Sequence, residues 1–292
     1  MVKVLAFGEI LWDIIEGEAH LGGAPLNFAS HIRQCGLSAG ILSCLGNDDW
    51  GNKAMQAVEE SGLDTRLILR RNKNTGIVDV KIINGQPQYD IIKPVAYDYI
   101  DVGNLSHEVI SEFDVFYFGT LAQRAMSTRE SLYKILDQHK FKEVFYDVNL
   151  RKDSYTGEVI ERSLQHCTIL KINDEEVPEV SSLLWEEMDI EAFCKHVQTV
   201  FPKIKVVLVT AGSAGSYVSS SKGINHSPAV KITVADTVGA GDACSAAFLS
   251  TYIKTGDALK AAAMGNMVGG FVASNPGAIP KYSDEIQKAL TQ

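Results

Sequence analysis

EVFYDVNLRKDSYTGEVIERSLQHCTILKI, residues 143–172, is the stretch that decides the fold. Two short apolar runs, Glu143 to Val148 and Thr168 to Ile172, enclose a segment from Thr156 to His166 that reads as a helix. Strand, helix, strand in this order is the signature of a parallel pair, because parallel neighbours need a long crossover. Outward from it the alternation continues. Val115 to Phe118 and Lys205 to Thr210 read as further strands, and Ser127 to His139 and Glu186 to Val200 as further helices. Such a chain predicts a parallel sheet sandwiched by helices.

Toward the N-terminus, Val2 to Phe7 reads as a buried strand and Leu11 to Leu21, broken by Gly17, as two short strands around a turn. A helix follows from Pro25 to Cys35, with Pro in its first turn and Gly36 past its end. Ile41 to Leu45 is a strand and Asp48 to Ser61 a helix stopped by Gly62. The segment from Arg66 to Ile92 differs in kind: Thr75 to Ile83 and Gln86 to Ile92 flank Asn84-Gly85, a strong hairpin signal. With residues 11–21 these hairpins predict a small antiparallel sheet. Beyond Tyr217 a hairpin and a strand to Val234 are expected, then helices near 240–254, 256–274 and 282–290. The expected fold class is α/β: one domain over residues 1–292, a three-layer sandwich around a mainly parallel central sheet. A discontinuous β lid is drawn from about 11–21 and 66–100.

With 292 residues and 46% hydrophobic content, the chain can bury a large core. A net charge of -9 without a Lys/Arg cluster argues against a nucleic-acid or anionic-membrane surface. A polyanionic substrate stays compatible, since backbone dipoles and metal ions act locally. The five cysteines, Cys35, Cys44, Cys167, Cys194 and Cys244, are scattered and never form CxxC, which predicts buried reduced thiols. No apolar run approaches the ~18 residues of a membrane span, and the N-terminus runs directly into a strand, so the expected compartment is the cytoplasm.

The chemistry concentrates in Asp236-Thr237-Val238-Gly239-Ala240-Gly241-Asp242. A Gly-Ala-Gly turn opening a helix lets backbone N–H groups converge on an anion. A carboxylate in that first turn can take a proton from a hydroxyl attacking a phosphoryl group, or can simply stabilise the helix dipole. No Gly-Lys-Ser/Thr follows, so this is not a Walker A loop, and the first strand carries no GxGxxG.

Taken with Gly22-Gly23-Ala24-Pro25-Leu26-Asn27, this heptapeptide resembles the paired signatures of the ribokinase-like (PfkB) carbohydrate kinase family, in the family's order and spacing. The resemblance extends over essentially the whole chain. It implies an ATP-dependent sugar kinase in which Asp242 is the base and the backbone of Gly239, Ala240 and Gly241 is an anion hole. Asp13, Gly22, Gly23 and Asn27 would bind the sugar, with Asp13 in a Gly-Glu-x-Leu-x-Asp context. Asn173 and Glu176, in an Asn-x-x-Glu element, would organise Mg2+ and phosphates largely through water, a role compatible with a capping box. Thr210, Gly212 and Gly215 would line the nucleotide site, and Asn266 matches a position near the adenine, though it reads equally well as a packed polar residue. Asn275 and Gly277 would join Asp236 and Val238 in holding a monovalent cation, K+.

Within the family the chain looks closest to fructokinases, on Gly-Gly-Ala-Pro and on Asp147-Val148-Asn149-Leu150-Arg151, which resembles Asp-Pro-Asn-x-Arg with Val148 for Pro. Arg151 would bind a sugar oxygen or a phosphate. The same motifs fit 2-keto-3-deoxygluconate kinases, where Arg151 would meet a carboxylate. A silent sugar or nucleotide sensor is the reading from another class. The expected partners are a small sugar, MgATP and a second copy of the chain paired through the lid, with no nucleic acid or membrane.

Overall fold

The computed structural model describes residues 2–15, 17–83, 86–103 and 105–291. Strand β1 (Lys3–Phe7) lies inside a nine-stranded sheet and pairs in parallel with β4 (Ser38–Gly46) and β8 (Val115–Gly119). Parallel pairing continues from β8 through β9 (Glu143–Asp147) and β10 (Ile169–Asn173) to β11 (Val206–Thr210). The antiparallel β12 (Ser216–Ser220) and β13 (Gly223–Ser227) finish that edge, and β5 (Ile68–Arg71) finishes the other beside β4.

Side chains alternate across the strands, and each face carries its own core. Leu5 and Phe7 join one core, with Leu132 of α4 (Met126–Gln138), Leu164 of α5 (Gly157–His166) and Val197 of α7 (Ile190–Val200). Val4 and Ala6 join the other, with Ile32 of α1 (Ala24–Gln34), Val58 of α2 (Asp49–Glu60), Phe248 of α8 (Ala240–Thr255) and Ala261 of α9 (Ala258–Ala273). This is the three-layer sandwich expected from the strand–helix alternation. All five cysteines are free and buried. Among the described residues no helix is long and apolar enough to cross a membrane.

The small second sheet has the order β3 (Glu18–Gly22), β2 (Leu11–Ile15), β6 (Gly76–Ile83), β7 (Gln86–Ile91). Both hairpins are antiparallel, but β2 and β6 pair in parallel, so the sheet is mixed rather than antiparallel. Each hairpin leaves the main sheet in the same direction, β2 after β1 and β6 after β5, which makes their first strands run alike. The Asn84-Gly85 turn lies outside the described residues. Leu11, Val78, Val95, Tyr97 and Leu121 bury a cluster that fastens this sheet to the body.

Three local expectations are corrected, and one helix is added. Residues 68–71 belong to the main sheet and 96–99 form a short 3-10 helix, so the segment 66–100 gives the small sheet only β6 and β7. The helix expected from Glu186 begins at Ile190, where Asp189 accepts the Ala192 amide at 2.8 Å; Ser181 Oγ takes the Met188 amide at 3.0 Å and holds the link outside the helix. An unforeseen helix, α6 (Glu176–Leu184), precedes it, with Pro178 in a first turn that has no partner for its missing N–H anyway. The last strand stops at Ser227 instead of Val234, and Val230, Ile232 and Val234 lie exposed beyond it.

Candidate active site

Helix α8 opens at the glycine turn. Gly239 caps it in the left-handed region at φ 76°, and a Cβ there would stand 2.4 Å from Ala278 O, so the position admits only glycine. First-turn amides of a helix lack partners within it. The Ala240 amide nevertheless closes onto Thr237 O at 3.3 Å. Among the described residues the amides of Gly239 and Gly241 have no such partner, which makes these two the better anion donors of the three expected.

Asp242 follows in the same turn. Its Oδ2 accepts an N–H from Asn27 Nδ2 at 2.9 Å. Asn27 is carried by α1, which Phe28 fixes by stacking on Tyr117 of β8 with centroids 3.7 Å apart. The same helix also reaches the far side of the turn. His31 bonds Ala278 O through Nε2 at 2.9 Å and Tyr282 Oη through Nδ1 at 2.8 Å, and Gln34 donates to Pro280 O at 3.1 Å.

Asn27, Asp242 and the glycine turn form one end of a cleft of about 320 Å³ between the small sheet and the body. Glu9, Asp13, Asn27, Arg151, Lys171 and Asp242, with Asn149 and Thr237, supply its polar lining; Leu11, Ile15, Val78, Ile91 and Leu121 supply an apolar wall. Asp13 sits mid-strand in β2, opposite His20 and Val78, with its carboxylate against Gly22: a Cβ on Gly22 would lie 2.8 Å from Asp13 Oδ2. Gly23, at φ 111°, presses on Glu9, whose carbonyl oxygen would be 2.5 Å from a Cβ. The double glycine thus brings backbone directly against the Asp13 carboxylate and the main chain of Glu9.

Burial sets the electrostatics. Desolvation pushes the Asp242 carboxyl up to about 7, against the pull of the Asn27 hydrogen bond and the Lys171 and Arg151 cations. Glu9 is likewise pushed up to about 7 by burial, and Asp13 is raised for the same reason, with Arg151 opposing in both. Arg151 is exposed and acts as the shared counter-charge of all three.

Other expected site residues lie along the strand ends rather than in this cleft. Asn173 and Glu176 form a reciprocal cap: Asn173 Oδ1 accepts the Glu176 amide at 2.7 Å and Glu176 Oε2 the Asn173 amide at 3.0 Å. Glu176 Oε1 also takes the Leu150 amide at 2.6 Å. Thr210 ends β11 and its carbonyl accepts the Asp174 amide at 2.9 Å. Gly212 is open to solvent, whereas Gly215 packs where a Cβ would meet Ser227 O at 2.2 Å. Asn266 Nδ2 donates to Ser227 O at 2.9 Å and Pro228 O at 3.2 Å, the packing role. Asp236 accepts the amides of Val238 at 3.0 Å and Gly277 at 3.2 Å, and so draws the glycine turn to the loop at Asn275, whose Nδ2 bonds Phe271 O at 2.7 Å.

Two charged lining residues, Glu9 and Lys171, escaped the sequence reading. Glu9 stood unremarked inside the Gly-Glu-x-Leu-x-Asp element. Lys171 interrupts the apolar run of β10, and a lone charge in a buried strand is itself a signal, because it must be paired. A larger surface cavity of about 880 Å³, between α6–α7 and β12–β13, shares none of the cleft's residues.

A model of "pfkB family carbohydrate kinase" matches residues 4–285. The chain is 28% identical to a putative sugar kinase of Pyrococcus horikoshii over 94% of its own length and 91% of that protein's. It is 24% identical to the fructokinase of Escherichia coli over 87% and 85%. The structure of the Pyrococcus protein in complex with ATP superposes with a TM-score of 0.86 at 25% identity, covering 99% of both chains. Fructokinase from Vibrio cholerae, solved with fructose, ADP and calcium, shares the fold with a TM-score of 0.84 at 20% identity, covering 100% of this chain and 99% of that one. Fold, glycine turn and family match agree: the chain belongs to the pfkB family of carbohydrate kinases.

Proposed function

We propose that the protein is an ATP-dependent fructokinase, which transfers the γ-phosphoryl group of ATP to the terminal hydroxymethyl of D-fructose. The observation that carries the reading is the Asn27–Asp242 pair. Asn27 is 5% exposed, it steadies the carboxylate through Nδ2, and its own Oδ1 is a buried acceptor without a partner among the described residues. A buried orphan acceptor beside a carboxylate suits a ligand hydroxyl, which would donate to Oδ1.

In this reading the sugar lies against Asp13, Gly22, Gly23 and Asn27, with Arg151 on an outer oxygen. Asp242, its acidity near neutrality, takes the proton of the attacking hydroxyl as the new O–P bond forms. The bond from phosphorus to the ADP oxygen breaks, and ADP leaves with those electrons. Amides of Gly239 and Gly241 face the transferred group and need no reorganisation in the transition state. The apolar wall of the small sheet excludes water, itself a competent acceptor.

ATP as donor is supported by the Pyrococcus relative, solved with ATP. Its phosphates and adenine would follow the strand ends past Asn173, Thr210, Gly212, Gly215 and Asn266. Among the described residues no cluster of three or more His, Cys, Asp or Glu could cage a metal. Mg2+ needs none, because it keeps several waters and binds through phosphates. Glu176, engaged on both oxygens, fits only an outer role through water. When bound, Mg2+ supplies charge neutralisation on the phosphates. K+ would be held where the Asp236 carboxylate joins the turn at Val238 to the loop at Asn275 and Gly277. The reading includes a cytoplasmic enzyme and a homodimer through the edges of the small sheet.

Fructose is favoured by the Gly-Gly-Ala-Pro and Asp-x-Asn-x-Arg elements and by a cleft of monosaccharide size; the exposed Arg151 keeps 2-keto-3-deoxygluconate as the second reading. ADP release from MgATP with K+ is measured across fructose, 2-keto-3-deoxygluconate, ribose, glucose, adenosine and fructose 6-phosphate. Strong preference for fructose supports the assignment. Preference for another sugar overturns the acceptor while keeping the chemistry, and bound ATP without turnover on any sugar identifies a silent sensor.

A further inference from the structure

Lys171 is a buried cation on the wall of the cleft. Its side chain is 8% exposed, and Nζ donates to Asp147 Oδ1 at 2.9 Å. Asp147, 1% exposed, is also served by Ser245 Oγ at 3.2 Å and Tyr117 Oη at 3.4 Å, both on Oδ2. Three donors therefore share one carboxylate. An ammonium has three N–H groups, and Asp147 engages only one of them here. The ammonium nitrogen stands 3.7 Å from the place a Cβ on Gly241 would occupy, and it lines the same cleft as Asp242.

Stability gives little reason to keep such a pair. Ile169, Leu170 and Ile172 around it are fully buried, and replacing a buried ion pair by apolar residues is commonly neutral or stabilising. What an apolar residue could not do is present a fixed positive charge, in a water-poor site, beside the amides of the glycine turn and the carboxylate of Asp242. Burial works against that charge, but the Asp147 and Glu176 carboxylates outweigh it and raise the Lys171 pKa, so the group stays protonated.

We propose that Lys171 is a catalytic residue whose ammonium hydrogen-bonds the oxygens of the phosphoryl group during transfer, with Asp147, Ser245 and Tyr117 holding it in place. This rests on the phosphoryl-transfer reading of the cleft. The competing role is that of a mere counter-ion to Asp147, and the two roles separate when the pair is removed together. Lys171→Met alone leaves a buried charge; Asp147→Asn with Lys171→Met removes both charges while Asn still accepts from Ser245 and Tyr117.

Both variants are examined for melting temperature, for turnover, and for binding of ADP and of a non-hydrolysable ATP analogue without sugar. The double variant is expected to melt within a few degrees of wild type yet to keep a kcat deficit of about 10²–10³, the usual cost of one transition-state donor. Its affinity for the ATP analogue is expected to fall about tenfold, with ADP changed less than about twofold, since only the analogue carries the third phosphate. Recovery of kcat by the double variant to within about threefold of wild type, or equal weakening of both nucleotides, overturns the proposal. The titrations contain no sugar, so an error in the acceptor leaves them readable.

Discussion

Asn27 of α1 and Asp242 of α8, 215 residues apart in sequence, meet through an N–H donated from Asn27 Nδ2 to Asp242 Oδ2 at 2.9 Å. The bond joins the two glycine-bearing elements of the chain and sets Asn27 Oδ1, without a partner among the described residues, beside a carboxylate; in the proposed reading the acceptor hydroxyl lies between them. It also favours the ionised form of Asp242, against the desolvation that raises its pKa. Asn27→Ala should therefore shift the acid limb of the pH–rate profile upward and lower kcat/KM by about 10²-fold, the combined loss of a positioned base and a substrate contact. An unmoved acid limb would separate Asn27 from the base.

The pH dependence follows from the buried carboxyls. With Asp242 and Glu9 both pushed up to about 7, the cleft loses its protons in a coupled pair of steps. kcat/KM should rise with pH through this range and stand about a hundredfold lower at pH 5 than on its plateau. Stability should run the other way. The folded-state pKa of Asp242 lies above the unfolded value, so its contribution is fully present below the unfolded pKa and is lost as pH rises through about 7. Asp242→Asn should accordingly melt roughly 2–4 °C above wild type at pH 8 and near it at pH 4. Equal melting differences at both pH values would contradict the sign.

Two glycines of the turn should respond differently to alanine. At Gly239 the left-handed φ and the contact with Ala278 O leave no room, so Gly239→Ala should cost more than about 2 kcal/mol and lose activity with the fold. At Gly241 the nearest atom to a new methyl is Lys171 Nζ at 3.7 Å, and the backbone is not left-handed. Gly241→Ala should melt like wild type while kcat falls about tenfold or more, because in the proposed reading the methyl stands at the face that the phosphoryl group approaches. Differential scanning fluorimetry and steady-state rates on the two variants check this.

His31 links α1 to the chain behind the glycine turn. It is fully buried with both ring nitrogens bonded, and burial drives its pKa down to about 4, so it stays neutral at physiological pH. His31→Phe keeps a ring but strands Ala278 O and the Tyr282 hydroxyl, at a cost of about 1–3 kcal/mol measurable by urea denaturation. kcat should fall more than the sugar KM rises, because Ala278 packs directly against Gly239. A variant as stable as wild type would show that the link is idle.

The sandwich was legible because its strands are continuous apolar runs and its helices repeat at helical spacing. The glycine turn was legible because a left-handed, closely packed helix cap leaves almost no other residue type for Gly239. Strand β5 was not, since Ile-Leu-Arg-Arg is short and half cationic, as an edge strand can be. The break between α6 and α7 depends on Ser181 Oγ reaching the Met188 amide, a contact that no periodicity reveals. The parallel pairing of β2 with β6 is set by how both hairpins leave the main sheet. Glu9 and Lys171 enter the cleft through tertiary approach, from β1's end and from β10; the lone charge of Lys171 in an apolar strand signals a buried pair but not the cleft that it lines. The Ala240 amide, spent on Thr237, could be assigned only from the shape of the turn.

The most direct test of the account is Asp242→Asn, with fructose binding measured by calorimetry and ADP release measured in the presence of MgATP and K+. Fructose affinity should stay within about threefold of wild type and turnover should fall by about 10²–10⁴, the usual contribution of a general base. Turnover within about threefold of wild type would contradict that role, because the proton of the attacking hydroxyl would then have another destination.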